Sequence, residues 1–468
     1  MTKDWTDIAS LHAGYKAGKF TPSQVTGYYL DRIKKYNPQL NAFITITAEA
    51  ALKQAKELEG QAERIESHPL YGVPVAFKDL YMTKGVKTTA GSKVLENYVG
   101  HYNATTVQKY LDAGAIVLGK LNCDAWAHGS SGENSDFGPT HNPWNLDYVP
   151  GGSSSGSAAA VAADLCLVAS GTDTGGSIRC PASFCSVVGV KPTYGRVSRY
   201  GIIAMASSLD SIGHLTANIA DAARVLEVTA GPDPNDATTS PKAVEKYSQL
   251  KNLKLDGLRV GISKEYQSAD AEVAESFTAV VTKLTELGAE IVDISLPHTE
   301  QALACYYIIQ PAEVSSNLAR YDGIRYGQDR SAFGAEAKRR IMLGTYILSA
   351  GYYDAYYKTA QKVRTLVIAD FQQAFIKVDV IAAPVMPHLP FKIGEKISDP
   401  LSLYLEDVLT VPVNLAGLPA IAIPGGFSHS KLPIGWQLIG PHFSEKQLFE
   451  VGHAYEQATD WKNRRPSL

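Results

Sequence analysis

From Gly72 onward the chain alternates short apolar runs with stretches of helical spacing, and few architectures accommodate that pattern. GVPVAF (Gly72–Phe77), AIVLGK (Ala115–Lys120) and LCLVAS (Leu165–Ser170) read as strands, with helices over Thr105–Ala113 and Ser157–Ala163 between them. The order returns later as GLRVGIS (Gly257–Ser263), a helix over Glu272–Leu287, and IVDISLP (Ile291–Pro297). Repetition of this kind predicts an α/β sheet wrapped by helices. Residues 1–65 read as a helical N-terminal flank, where Thr21-Pro22-Ser23-Gln24 is a capping box with Pro at the first helical position. A second helix is expected from Glu49 to about Ile65. The segment Leu318–Phe375 is mostly helical, and VDVIAAP (Val378–Pro384) and AIAIP (Ala420–Pro424) add short strands. With no internal repeat and no long Pro- or Ser-rich linker, residues 66–468 read as one continuous domain.

Composition narrows the function. The 468 residues are 45% hydrophobic and 19% charged, enough to bury a large core. Lys+Arg 44 against Asp+Glu 47 leaves a net charge of −3, which argues against a chain that grips nucleic acid by itself. The small apolar run Ser157–Ala163 meets Asp164 far short of a membrane span, and MTKDWTDIAS has no secretory pattern. Five scattered cysteines without a CxxC predict neither disulfides nor a zinc site, and Cys180 and Cys185 read as small buried side chains. The expectation is a reduced, cytosolic protein without a metal.

One stretch departs sharply from the rest: PGGSSSGSAAA, Pro150–Ala160. It is too short for a linker, and it lacks the Lys of a phosphate loop. Gly152–Gly156 matches G-x-S-x-G with Ser154 central, but the preceding HNPWNLDYVP is no buried strand, and no histidine stands out as a base; His214 reads as an ordinary core or surface residue. The remaining reading couples Ser153 to a second cluster, GTDTGGSIR (Gly171–Arg179), and to Lys78 at the end of GVPVAFKDL. Two serines and a lysine from three turns form a nucleophile–relay–base set. Thr174, Gly175 and Gly176 then present backbone N–H groups to an oxyanion beside Ser177. A lysine serves as base only if burial lowers its pKa, so Lys78 needs a dry site without a carboxylate partner, and Asp79 should face the other way. Asp173 and Arg179 read as a structural pair.

GVPVAFKDL, PGGSSSGSAAA and GTDTGGSIR together resemble, in order and spacing, the amidase signature family of Ser–cis-Ser–Lys hydrolases. Ser155 stands where many members have Gly. The resemblance spans nearly the whole chain and implies that family's fold, a central mixed β-sheet covered by helices on both faces. It implies Ser177 as nucleophile, Ser153 as bridging cis-peptide serine and Lys78 as base.

Within the family, the segments Val314–Gly327, Lys338–Thr365 and Leu405–Gly426 are similar to the branch of glutaminases that feed ammonia to a tRNA amidotransferase. Free glutamine needs a hydrogen-bond donor for its carboxylate and an acceptor for its ammonium. Arg340 suits the first and Asp407 the second, with Arg339 facing outward; the resemblance implies the same two positions. Ser130 and Tyr306 are further pocket candidates. The resemblance also implies two protein partners in a heterotrimer: one that uses ATP and Mg2+ on Glu-tRNA(Gln), and a small one that wraps across the junction of the other two. This chain itself shows no ATP or Mg2+ site. Alternatives are a stand-alone amidase of small amides and a non-catalytic scaffold.

Overall fold

The computed structural model describes residues 3–251, 254–267, 269–325, 327–396 and 399–468, so Tyr326 of the segment Val314–Gly327 lies outside the described residues. Among the described residues, eleven strands form one sheet: β1 (Phe43–Ile46), β2 (Pro74–Lys78), β3 (Ile116–Leu121), β4 (Val168–Asp173), β5 (Val188–Lys191), β6 (Ser211–Thr216), β7 (Arg259–Ser263), β8 (Glu290–Ile294), β9 (Val380–Pro384), β10 (Ala420–Phe427) and β11 (Pro433–Ile439). Their order is β1-β3-β2-β4-β6-β5-β10-β11-β9-β7-β8, and helices flank the sheet. β2 runs parallel to both β3 and β4, whereas the strands from β4 to β9 pair antiparallel, so the sheet is mixed. The inner strands β2 and β3 are buried at every position, as near-continuous apolar runs in parallel pairs require.

Local signals account for several elements. The helix Pro22–Leu40 starts at the expected capping box, with Thr21 and Gln24 satisfying each other's backbone N–H groups. The helix expected from Glu49 to Ile65 stops at Leu58, because Gly60 takes a φ of +74°, and a short 3₁₀ turn follows at Ala62–Glu66. Within residues 1–65, β1 pairs antiparallel with β3 and ties this segment into the sheet. β4 lies three residues later than expected, since its ladder with β6 runs on to Asp173 opposite Ser211. The helix Ser155–Ala162 (SGSAAAVA) is buried on every side. Its small residues are required: a Cβ at Gly156 would stand 2.4 Å from the Ala42 carbonyl oxygen.

This layout decides where chemistry can occur. β2 and β4 are parallel neighbours, so Lys78 and the turn after Asp173 emerge at the same sheet edge. The helix Ser155–Ala162 packs on β4 with its N-terminus, and hence Ser153, at that edge too. Carboxyl ends of parallel strands are the usual ligand sites of α/β sheets. Among the described residues, no helix is long and apolar enough to cross a membrane, and all five cysteines are buried and unpaired.

Candidate active site

Lys78 is fully buried, and its ammonium group meets hydroxyls alone: Nζ donates to Ser153 Oγ at 2.7 Å, Thr172 Oγ1 at 2.8 Å and Ser154 Oγ at 3.0 Å. Burial brings its pKa down to about 8. The adjacent Asp79 turns the other way and pairs with Lys120 at 3.0 Å, leaving Lys78 without a carboxylate in contact. Ser154 thus touches the amine as well as supporting the backbone, and Thr172 is a partner that the motifs did not single out.

The peptide bond Gly152–Ser153 is cis. Asp124 holds this turn: its backbone N–H donates to the Ser153 carbonyl at 3.2 Å, while its carboxylate accepts from Gly132 and Asn134 N–H groups. On the other side, the Ser154 N–H donates to the Ser177 carbonyl at 3.1 Å, joining the two serine turns. Asp173 and Arg179 form the expected structural pair. The guanidinium binds both carboxylate oxygens at 3.1 Å and reaches on to Gln437 and Asn414. Burial opposes the charge on Asp173, yet Arg179 holds its pKa down to about 2.

Gly175 and Gly176 are dictated by contact. A Cβ on Gly175 would lie 2.7 Å from the Tyr306 hydroxyl, and Gly176 has a φ of +140° beside Thr410. The N–H groups of Gly175, Gly176 and Ser177 donate to no protein acceptor among the described residues, so they remain available to an oxyanion. Thr174 is anchored through its hydroxyl to Asp210 at 2.7 Å.

Ser177, Gly175, Ser130, Tyr306, Arg340 and Asp407 line one cavity of about 20 Å³. Arg340 and Arg339 sit side by side on the helix Ala335–Ile347, yet the Arg340 side chain is 4% exposed and that of Arg339 43%. Arg340 Nε donates to Glu336 Oε1 at 2.6 Å and Nη1 to Gln310 Oε1 at 2.6 Å. The Arg340 guanidinium carbon lies 4.8 Å from the centre of the Tyr307 ring and 4.4 Å from that of Tyr404, two rings that stack on each other. Asp407 accepts from the Tyr307 hydroxyl at 2.7 Å, and burial pushes its pKa up to about 7. His214 is a core residue bonded to the Ala222 carbonyl at 2.8 Å. Sequence reasoning passed over Tyr307, Gln310, Glu336 and Tyr404. Glu336 was legible as the i−4 neighbour of Arg340, but Tyr307 and Gln310 come from the helix Thr299–Asn317 and Tyr404 from the helix Pro400–Leu405, and none of the three carried a local signal.

A buried amine among serine and threonine hydroxyls, beside a serine under free N–H groups, is the equipment for cleaving amides. The chain belongs to the amidase family, whose sequence profile matches residues 24–449. More narrowly, it is 51% identical to GatA of the Coxiella burnetii glutamyl-tRNA(Gln) amidotransferase, over 98% of this chain and 99% of that protein. It also resembles the crystal structure of GatA from the Thermotoga maritima glutamyl-tRNA(Gln) amidotransferase, at 42% identity and a TM-score of 0.80, covering 94% of this chain and 92% of that one. The peptide amidase of Stenotrophomonas maltophilia shares the fold at 32% identity and a TM-score of 0.83, with 98% of each chain covered.

Proposed function

We propose that this chain is the glutamine-hydrolysing component of a glutamyl-tRNA(Gln) amidotransferase. The observation that carries the reading is the shared cavity: a buried cation, Arg340, and a carboxyl, Asp407, face the same small space as Ser177. An apolar amide needs neither charge; the α-carboxylate and α-ammonium of glutamine need both. Full-length similarity to GatA proteins supports it.

Neutral Lys78 draws the proton of Ser153 Oγ, which draws that of Ser177. Ser177 Oγ then attacks the side-chain amide carbon. Negative charge gathers on the amide oxygen, under the N–H groups of Gly175, Gly176 and Ser177. The proton returns through Ser153 to the leaving nitrogen, ammonia departs, and water attacks the acyl-Ser177 ester by the same relay to release glutamate. With a pKa of about 8, roughly a tenth of Lys78 is neutral at pH 7, against less than a thousandth for an ordinary lysine.

The rest of the reading lies outside this chain. GatB would activate Glu-tRNA(Gln) with ATP and Mg2+ and accept the ammonia, and the small GatC would complete a heterotrimer, all in the cytoplasm. Among the described residues no group of three or more His, Cys, Asp or Glu side chains could hold a metal. The test is co-expression with GatB and GatC followed by conversion of Glu-tRNA(Gln) with glutamine as donor. Gln-tRNA(Gln) should form, and Ser177→Ala should abolish it while free ammonia restores it. Activity retained in Ser177→Ala with glutamine as donor overturns the reading.

A further inference from the structure

A cavity of about 20 Å³ holds about one water, whereas glutamine has about ten heavy atoms. Tyr404 is one of the side chains that line and narrow that space. Its ring stacks on Tyr307, with centroids 4.3 Å apart and planes 21° from parallel, and covers the Arg340 guanidinium at 4.4 Å. Its hydroxyl donates to Glu336 Oε1 at 3.0 Å, the same oxygen that accepts from Arg340 Nε. Gln310 takes Nη1, so Nη2 is the one guanidinium nitrogen without a protein partner among the described residues. Tyr404 belongs to the helix Pro400–Leu405, whose Leu401 and Leu405 are 72% and 61% exposed. An element with so little apolar burial opens more readily than the sheet around it.

We propose that Tyr404 is a specificity-determining residue: it narrows the pocket and yields to amides that carry an α-carboxylate. This rests on the glutaminase reading of the site. The arriving carboxylate takes Arg340 Nη2 and becomes a second anion beside Glu336. Repulsion between the two weakens the hold of Glu336 on Arg340 and on the Tyr404 hydroxyl, and the ring is released. A neutral amide of the same length brings no charge to that contest and meets the narrowed pocket. Discrimination then resides in opening the site as well as in contacts made afterwards.

The experiment compares wild type, Tyr404→Ala and Tyr404→Phe, with GatB and GatC present, on glutamine and on pentanamide. Tyr404→Ala should raise kcat/KM for pentanamide at least tenfold and lower the glutamine-to-pentanamide ratio by a similar factor. Tyr404→Phe, which keeps the ring and loses the bond to Glu336, should fall between. An unchanged ratio in both variants overturns the proposal. A second measurement uses no substrate: the rate at which alkyl fluorophosphonates of increasing chain length label Ser177. Labelling should slow steeply with length in wild type and weakly in Tyr404→Ala; equal dependence in the two overturns the proposal. A wild type that hydrolyses pentanamide as fast as glutamine overturns the glutaminase reading instead, and the labelling series then decides the role of Tyr404 alone.

Discussion

Asp79 pairs with Lys120 at 3.0 Å rather than with Lys78, its neighbour in sequence, although all three side chains are fully buried. Consecutive residues at a strand end project to opposite faces, so one lysine of the region is neutralised by a carboxylate and the other is left with hydroxyls. Lys120 also donates to the Tyr81 carbonyl and Thr88 Oγ1, both at 2.8 Å.

Removing Lys120 should therefore be a stability lesion. Lys120→Ala strands the Asp79 carboxylate in the interior, at a cost of about 3–5 kcal/mol. Urea unfolding followed by circular dichroism should show the midpoint fall with the slope unchanged. A loss below about 1 kcal/mol would contradict the buried pair.

Lys78 should show the reverse trade. Its pKa falls from 10.5 in the unfolded chain to about 8 in the folded one, so at intermediate pH the unfolded state binds more protons. Stability contributed by this position is lowest below pH 8 and rises as pH climbs from about 8 towards 10.5. The shift corresponds to about 3 kcal/mol. Lys78→Met should be inactive yet more stable at pH 7, with an advantage that fades above pH 9. Glutaminase kcat/KM in the parent should climb about tenfold per unit between pH 7 and 8, more steeply below pH 7 where Asp407 also takes up a proton, and level off above pH 8, where the amine is neutral.

Arg340→Ala should raise KM for glutamine about 10–100-fold and leave kcat nearly intact. The clamp binds a part of the substrate that does not change during the reaction, and a charge-assisted hydrogen bond contributes about 1.5–3 kcal/mol. Steady-state kinetics with glutamine settle it; an unchanged KM removes Arg340 from the site.

Gly176→Ala tests the oxyanion geometry. The new Cβ would stand 2.5 Å from Thr410 Oγ1, at a φ of +140° that L side chains rarely adopt. Tilting the N–H groups beside Ser177 should lower kcat about 10²–10³-fold with little change in KM. Single-turnover measurement of acyl-enzyme formation isolates that step.

What could be read from the sequence follows the range of the forces involved. Lys78, Ser153 and Ser177 sit in compact motifs separated by a helix and a strand, so their convergence on one sheet edge was legible, whereas the contacts that demand the motifs' glycines, with Ala42, Tyr306 and Thr410, come from far along the chain. Arg340 was legible as a charge suited to a substrate carboxylate, and Arg339, expected to face outward, is the exposed one of the two. Tyr307, Gln310 and Tyr404 were not, because each meets Arg340 only through the packing of the helices Thr299–Asn317, Ala335–Ile347 and Pro400–Leu405. In the fold, β1, β5, β6 and β11 escaped notice. SIGHLT and PIGWQLI carry Gly, His, Gln or Pro inside the strand, and their place is set by neighbours on both sides rather than by a period of two.

The hydroxyl cage around Lys78 has one more consequence. Because no carboxylate among the described residues stabilises the ammonium form by contact, dryness alone lowers the pKa and holds a fraction of the amine neutral at pH 7, and the amine is in effect a hygrometer. Any motion that floods the surroundings of Lys78 raises its pKa, drains the neutral fraction and silences the relay without disturbing a single catalytic side chain. Acid need not be the off-switch of such a site. Water is enough.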